Sequence, residues 1–114
     1  MYKQGDILLI PVPFTDLTST KKRPVLVLSN DKYNDKTNDI LVAAITSNIS
    51  EKDYAVMITE TDLDIGELKV DSCIRVDKIY SLSQAIVISI FGKANSRIMN
   101  IVKDKLDYLI STKK

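Results

Sequence analysis

Histidine is absent from this chain of 114 residues, and no other feature of its composition excludes as much chemistry. Without an imidazole there is no histidine general base, no Ser–His or Cys–His nucleophile pair, and no zinc site with a histidine ligand. The single cysteine, Cys73, excludes an internal disulfide and any site built from several thiolates. With no histidine to activate it, Cys73 is interpreted as a small core residue rather than a nucleophile.

Glycine is scarce as well, since the chain contains only Gly5, Gly66 and Gly92. These isolated glycines form no phosphate-binding loop, which argues against nucleoside-triphosphate chemistry. Long apolar runs are also missing: no run approaches the roughly 20 residues that span a bilayer, and the residues after Met1 are polar rather than a signal region. We therefore expect a cytoplasmic protein with no membrane partner.

The chain also lacks a large net charge, because its 16 Lys and Arg residues nearly balance its 15 Asp and Glu residues and leave a formal charge of +1. A nucleic-acid surface would therefore depend on the local arrangement of cations rather than on net charge. Apolar residues make up 45% of the chain and charged residues 27%, the usual mixture of a folded globular domain. We expect one domain over residues 1–114.

Short apolar runs bounded by glycine, proline or polar residues predict the secondary structure. The predicted strands are residues 6–12, 24–29, 40–46, 54–59, 72–77 and 85–91. Residues 30–39 are interpreted as a turn or a short irregular helix, and Gly66 as the turn residue of an acidic connection. After the last strand, the spacing of Ile98, Ile101, Val102 and Leu106 changes to that of a helix capped by Asn95 or Ser96. The sequence thus predicts a mainly β fold with a C-terminal α-helix laid across a small, strongly bent sheet or barrel.

Arg23 lies between a polar loop, residues 13–22, and a buried strand that begins with Pro24. A guanidinium held on a rigid element is well suited to bidentate phosphate binding and to stabilising charge on a phosphorane. An ordinary surface arginine is the alternative interpretation of this position. The loop itself adds Lys21 and Lys22 as candidate contacts to RNA, and we expect it to be mobile.

Thr46 and Ser47 leave the third predicted strand together. If the second and third strands are neighbours, the two hydroxyls lie near Arg23, where a hydroxyl can donate to a phosphate oxygen or orient an attacking 2′-hydroxyl. Both residues could equally end the strand by bonding to their own backbone.

Residues 71–80 form a strand with no clean apolar face, which is typical of an interface or a site. Lys78 and Tyr80 on this strand are candidates to bind phosphate and to stack on a base. Arg75 and Asp77 fall on one face at a spacing that predicts an ion pair with a structural role.

Short sequence blocks in a fixed order carry a resemblance to a known family. They are residues 5–7 (GDI), 13–16 (PFTD), 22–29 (KRPVLVLS), 45–47 (ITS), 68–72 (LKVDS) and 77–79 (DKI). Each block alone is weak, but their order and spacing together are specific. In these blocks the chain resembles the MazF/PemK/Kid family of toxins over nearly its whole length.

The resemblance implies a small SH3-like barrel of the CcdB/PemK type and a homodimer neutralised by a cognate antitoxin protein. It also implies a metal-independent endoribonuclease that needs no cofactor and cleaves single-stranded RNA at short sequences. By motif, Arg23 is similar to the family's catalytic arginine and Thr46 to its catalytic threonine, with Ser47 beside them. Some relatives carry an acidic residue shortly before the Arg–Pro pair, where the nearest here is Asp16, and many carry arginine at the position of Tyr80.

Two other functions remain open from the sequence. A toxin of the same fold could act by binding a protein such as gyrase, as the CcdB relatives do through a Trp-Gly-Ile end, although this chain ends in Ser-Thr-Lys-Lys and has no tryptophan. A catalytically silent member could bind RNA or antitoxin without cleaving RNA.

Overall fold

The computed structural model describes residues 1–11, 21–49 and 53–112 of the chain. Its strands are β1 (Asp6–Pro11), β2 (Lys22–Val27), β3 (Asp39–Thr46), β4 (Ala55–Ile58), β5 (Leu63–Gly66), β6 (Ser72–Ser83) and β7 (Ser89–Ala94). Its α-helices are α1 (Asp31–Lys36) and α2 (Ser96–Leu109), and single 3-10 turns occupy Glu60–Asp62 and Gln84–Ile86. In the described ranges, neither helix is long and apolar enough to span a membrane.

The strands form one antiparallel sheet in the order β4-β6-β3-β2-β1-β7-β5. The sheet curls into a half-barrel, and the mainly β fold class with a C-terminal helix is confirmed. Glycine is required where β5 pairs with β7. Gly66, at φ +96°, pairs with Gly92, and a Cβ added to Gly92 would lie 2.5 Å from the carbonyl oxygen of Ile65.

Both faces of the sheet carry apolar clusters, which explains why β2 is a continuous apolar run. The first cluster includes Leu26, Ile45 and Ile74, and it packs against α2 through the buried Ile98 and Val102. Helix α2 begins at the predicted cap, where the side chain of Asn95 accepts a hydrogen bond from the backbone N–H of Ile98.

The second cluster lies on the opposite face of the sheet. Its buried members are Leu8, Ile10, Val25, Val27, Ile40, Val42 and Leu82, with Tyr2, Ile86 and Val87 packed over them. On β2 and β3 this face continues past the cluster to Arg23 and Thr46, because alternate residues of a strand share a face. The cluster therefore provides a rigid base for the polar end of the same face.

Several sequence predictions differ from the structure. The turn predicted at Gly66 is strand β5, and Gly92 lies inside β7 instead of ending a strand. Strand β6 continues to Ser83, well beyond the predicted end at Asp77, and β7 begins at Ser89 rather than at residue 85. For β6 the physical reason is a register shift in its pairing with β3, which breaks the side-chain alternation that the prediction followed.

Candidate active site

Arg23 and Thr46 come to the same end of the sheet because β2 begins where β3 ends. The two strands pair antiparallel with Val25 opposite Ala44, and continuing this register by two residues sets Arg23 opposite Thr46. Directly opposed residues of an antiparallel pair share a face. The prediction that the second and third strands are neighbours is therefore confirmed, and Arg23 and Thr46 line the same cavity.

A cavity of about 260 Å³ lies at this position, and we call it the Arg23–Thr46 cavity. Its lining residues are Ile10, Arg23, Pro24, Val25, Ala44, Ile45, Thr46 and Tyr80. Arg23 is exposed and Thr46 is half-buried, so the guanidinium is accessible while the hydroxyl is held close to the sheet. An accessible cation beside a positioned hydroxyl can bind a phosphate group.

Backbone contacts hold the hydroxyl of Thr46 in place. Its Oγ1 accepts a hydrogen bond from the backbone N–H of Asn48 at 3.1 Å. The thiol of Cys73, which pairs with Thr46 across β3 and β6, donates to the carbonyl oxygen of Asn48 at 3.6 Å. Because Oγ1 is the acceptor in its bond, the Thr46 hydroxyl retains its own proton to donate to a bound anion. Cys73 is buried, as the sequence predicts for a core thiol.

Ser47 lies in a different place from its neighbour Thr46. It lines a second cavity of about 260 Å³, the Ser47 cavity, together with Lys22, Arg23 and Lys69 and an apolar wall that includes Phe91. Arg23, the second residue of β2, borders both cavities. Thr46 and Ser47 therefore each line a cavity that Arg23 also lines, but the two cavities are different.

The other predicted site residues are distributed unevenly. Tyr80 lines the Arg23–Thr46 cavity and is 37% exposed. Lys21 and Lys22 are exposed just before Arg23, and Lys78 is exposed but lines neither cavity. Asp16 and most of the predicted mobile loop lie outside the described residues.

Lys69 is a cationic residue that the sequence did not single out. It lines the Ser47 cavity with Lys22 and Arg23, although it comes from the connection between β5 and β6. The only signal in the sequence was its place in the LKVDS block, which does not distinguish a cavity residue from a solvated one. Its proximity to Arg23 depends on the curling of the sheet, which sequence spacing does not reveal.

Strand β6 bulges beside the Arg23–Thr46 cavity. The partner of Ala43 is Ile79 while the partner of the next residue, Ala44, is Arg75, so residues 76–78 have no partner on β3. The predicted Arg75–Asp77 ion pair spans this bulge, with Nε to Oδ1 at 2.9 Å and Nη2 to Oδ2 at 2.8 Å. These hydrogen bonds lower the pKa of Asp77 below its ordinary value and raise the pKa of Arg75 above its ordinary value.

Comparison with known proteins gives one family and one fold. Residues 3–110 match the sequence model of the "PemK-like, MazF-like toxin of type II toxin-antitoxin system". No individually curated protein matches the sequence significantly.

Solved structures share the fold at low sequence identity. MazF from Deinococcus radiodurans is 22% identical with a TM-score of 0.75, covering 96% of each chain. The MazE–MazF structure from the same organism gives a TM-score of 0.77 at 20% identity, covering 98% of this chain and 97% of that one. An endoribonuclease in complex with its cognate antitoxin, from a mycobacterial species, gives 0.75 at 16% identity, covering 100% of this chain and 99% of that one.

Proposed function

Because the chain belongs to the PemK-like, MazF-like toxins of type II toxin-antitoxin systems, we propose that it is an endoribonuclease that cleaves single-stranded RNA at short sequences. The observation that carries the proposal is that Arg23 and Thr46, from the neighbouring strands β2 and β3, line one cavity. Solved structures of the same fold include proteins described as endoribonucleases. An enzyme that destroys messenger RNA acts where that RNA is, so the proposal includes a cytoplasmic location.

The proposed reaction is attack of a ribose 2′-hydroxyl on the adjacent phosphodiester. The 2′-oxygen forms a bond to phosphorus and loses its proton, the bond to the 5′-oxygen breaks, and that oxygen gains a proton. Negative charge accumulates on the non-bridging oxygens in the transition state. Arg23 stabilises this charge with its guanidinium, and the Thr46 hydroxyl donates a hydrogen bond to the same group. Positioning and charge stabilisation of this kind do not require a metal ion.

The flanking cations and Tyr80 supply the remaining contacts to RNA. Lys21 and Lys22 are exposed immediately before Arg23, where they can bind the phosphates on either side of the scissile one. Tyr80 presents an exposed aromatic ring in the Arg23–Thr46 cavity, and a ring of this kind stacks on unpaired bases. We assign Ser47, Asp16 and Lys78 to substrate binding on the family motif.

A two-fold homodimer is part of the proposal. On the outer side of β6, strand β4 pairs only with the part from Ser72 to Arg75, so within the described residues the rest of that edge has no strand beside it. Ile79 and Tyr80, on this part of β6, are 38% and 37% exposed. An unpaired edge with exposed apolar side chains favours association, and a second copy of the chain supplies a matching edge. Sedimentation should give twice the mass of one chain at micromolar concentration, whereas a monomer would refute the dimer.

The proposed regulator is a cognate antitoxin with an acidic, disordered segment. Such a segment would occupy the phosphate path beside Lys21, Lys22 and Arg23 and so cover the proposed catalytic arginine. Solved structures of similar fold include complexes described as containing an antitoxin or MazE.

The decisive experiment is incubation of the purified protein with a long RNA in the presence of EDTA, followed by mapping of the cut ends. The proposal predicts cleavage at a recurring short sequence, with 2′,3′-cyclic phosphate and 5′-hydroxyl ends. Binding without cleavage would instead identify a catalytically silent member. A protein that neither binds nor cuts RNA would refute the proposal and favour a toxin that binds a protein target.

A further inference from the structure

Among the described residues that line the Arg23–Thr46 cavity, few side chains carry a proton on nitrogen or oxygen. They are Arg23, Thr46 and Tyr80, because the other lining residues are apolar. The proposed reaction needs a proton at the 5′-oxygen when its bond to phosphorus breaks, since a free alkoxide is a poor leaving group. A side-chain donor within this described lining must therefore be one of these three residues.

The three side chains differ in how readily they release a proton. A guanidinium stays protonated in proteins. A threonine alcohol is no more acidic than the ribose alcohol that it would have to protonate. A phenol is protonated at neutral pH but is a much stronger acid than an aliphatic alcohol, and tyrosine serves as a general acid for this reason. Because the chain has no histidine, Tyr80 is the side chain of this cavity best able to donate a proton.

Tyr80 and Thr46 lie at opposite ends of one row of side chains. Tyr80 pairs with Val42 of β3, whereas Thr46 is four residues farther along that strand, about 13 Å away. Val42, Ala44 and Thr46 share a face of β3, because alternate residues of a strand point to the same side. The small side chain of Ala44, between the two ends, leaves the cavity of about 260 Å³ open from the Thr46 hydroxyl to the phenol ring.

An in-line displacement sets the attacking and leaving oxygens on opposite sides of phosphorus. With the phosphate bound by Arg23 and the Thr46 hydroxyl, as in the proposed reaction, a leaving oxygen that is directed along β3 faces Tyr80 at the other end of the cavity. Tyr80 is 37% exposed, so water can return a proton to its oxygen after each turnover. The same residue therefore has both access to the leaving group and access to solvent.

We propose that Tyr80 is the general acid of RNA cleavage and donates its phenolic proton to the 5′-oxygen as that oxygen leaves. This inference rests on the proposed function and supplies the proton that the contacts of Arg23 and Thr46 do not. The electron pair of the breaking P–O bond stays on the 5′-oxygen, which takes the proton and becomes the 5′-hydroxyl. The phenolate then takes a proton from water, and the 2′-hydroxyl proton is released to solvent, so the protons balance over one cycle.

The test compares two RNA substrates that differ in one leaving atom. The first is an RNA that the wild-type protein cleaves, and the second carries sulfur in place of the bridging 5′-oxygen at the cleaved position. A thiolate leaves without a proton, because a thiol is far more acidic than an alcohol. Cleavage of the sulfur substrate therefore needs no general acid, although its 2′-hydroxyl, phosphate and bases are those of the oxygen substrate.

The substitution Tyr80→Phe keeps the ring and removes only the hydroxyl. Its single-turnover rate should fall about 100-fold or more on the oxygen substrate, the usual contribution of a general acid, and stay within about twofold of the wild type on the sulfur substrate. Binding of an uncleavable 2′-deoxy analogue should not change, since the ring remains. A normal rate on the sulfur substrate also shows that the variant is folded and binds RNA.

The chain offers a matched control in Tyr33, which is also 37% exposed but lies on α1 and lines neither cavity. Tyr33→Phe should cleave both substrates at the wild-type rate. Equal slowing of both substrates by Tyr80→Phe, or slowing of neither, would overturn the inference and leave the proposed function standing. A wild-type protein that cleaves no RNA would refute the proposed function and this inference with it.

Discussion

Arg23 is the residue on which the proposed chemistry depends most. It is exposed at the start of β2, so its removal should leave the fold unchanged. We expect Arg23→Ala to lower kcat/KM for RNA cleavage by on the order of 100-fold or more, because a positioned cation no longer stabilises the transition state. The kcat/KM of Arg23→Lys should lie between those of the wild type and Arg23→Ala, since lysine keeps the charge but loses the planar guanidinium. Near-normal cleavage by a folded Arg23→Ala protein would remove Arg23 from the mechanism.

Thr46 allows a nearly isosteric test of its hydroxyl. Thr46→Val keeps the branched shape on β3 and removes the O–H that would donate to phosphate. A hydrogen bond to a charged group contributes about 1.5–3 kcal/mol, so cleavage should slow by roughly 10- to 100-fold. The control is Thr61→Val, which removes an exposed hydroxyl that lines neither cavity. Equal cleavage rates for the two variants would show that Thr46 only ends strand β3 and has no role in cleavage.

Asp77 should make folding stability depend on pH in the acid range. Its hydrogen bonds to Arg75 lower its pKa in the folded protein, while the unfolded chain keeps the ordinary value near 3.8. The stability that this group contributes is therefore fully present above about pH 5 and is lost as pH falls through the unfolded and then the folded pKa.

The measurement for Asp77 is the melting temperature of the wild type and of Asp77→Asn between neutral and acid pH. At neutral pH the wild type should melt at the higher temperature, and the difference should shrink as pH falls below about 4. A difference in melting temperature that stays constant over this pH range would show that the ionised Asp77–Arg75 pair does not contribute to folding stability.

Helix α1 lies in a polar segment that the sequence predicts only as a turn or a short irregular helix, and one buried side chain holds it in place. Asn34 is fully buried, accepts a hydrogen bond from the Ser29 hydroxyl, and donates to the carbonyl oxygens of Tyr2 and Ser29. Ser29 in turn accepts from the backbone N–H of Leu41 on β3. This network ties α1 to the N-terminus and to the sheet.

Asn34→Ala should therefore destabilise the protein by about 2–4 kcal/mol, because several buried polar groups lose their partner together. Asn38→Ala is the matched control: Asn38 is exposed, and its change should stay within about 0.5 kcal/mol. Urea denaturation of both variants measures the difference. Equal midpoints would mean that the network does not stabilise the fold.

The elements differ in how far the sequence could predict them. Strand β2 and helix α2 were predictable, because a continuous apolar run and a 3.6-residue period with an Asn cap are local signals. Strand β5 was not predictable, because it depends on the close packing of Gly66 against Gly92. That contact joins distant segments, and no local sequence pattern indicates it. The paired position of Arg23 and Thr46 followed once β2 and β3 were neighbours, whereas Lys69 depended on the curl of the whole sheet.

At the scale of the molecule, the net charge is near zero, so under the proposed function RNA binding would depend on a local concentration of cations. Lys21, Lys22 and Arg23 are consecutive and exposed, and Lys69 joins Lys22 and Arg23 in the Ser47 cavity. If these cations bind RNA phosphates as proposed, they should also attract the acidic side chains of an antitoxin. One surface would then serve both substrate and inhibitor, so the two should compete.

Competition is measured by titrating a cognate antitoxin peptide against a labelled, uncleavable RNA bound to the toxin at two salt concentrations. We expect the peptide to displace the RNA, and both affinities should fall as salt rises, because each ligand depends on the same screened charges. Lys22→Gln should weaken both ligands, whereas Lys32→Gln, an exposed lysine on α1 that lines neither cavity, should weaken neither. Simultaneous binding of peptide and RNA without mutual displacement would show that the antitoxin binds elsewhere. In that case inhibition would have to act through a change of conformation rather than by occupying the path of the RNA backbone.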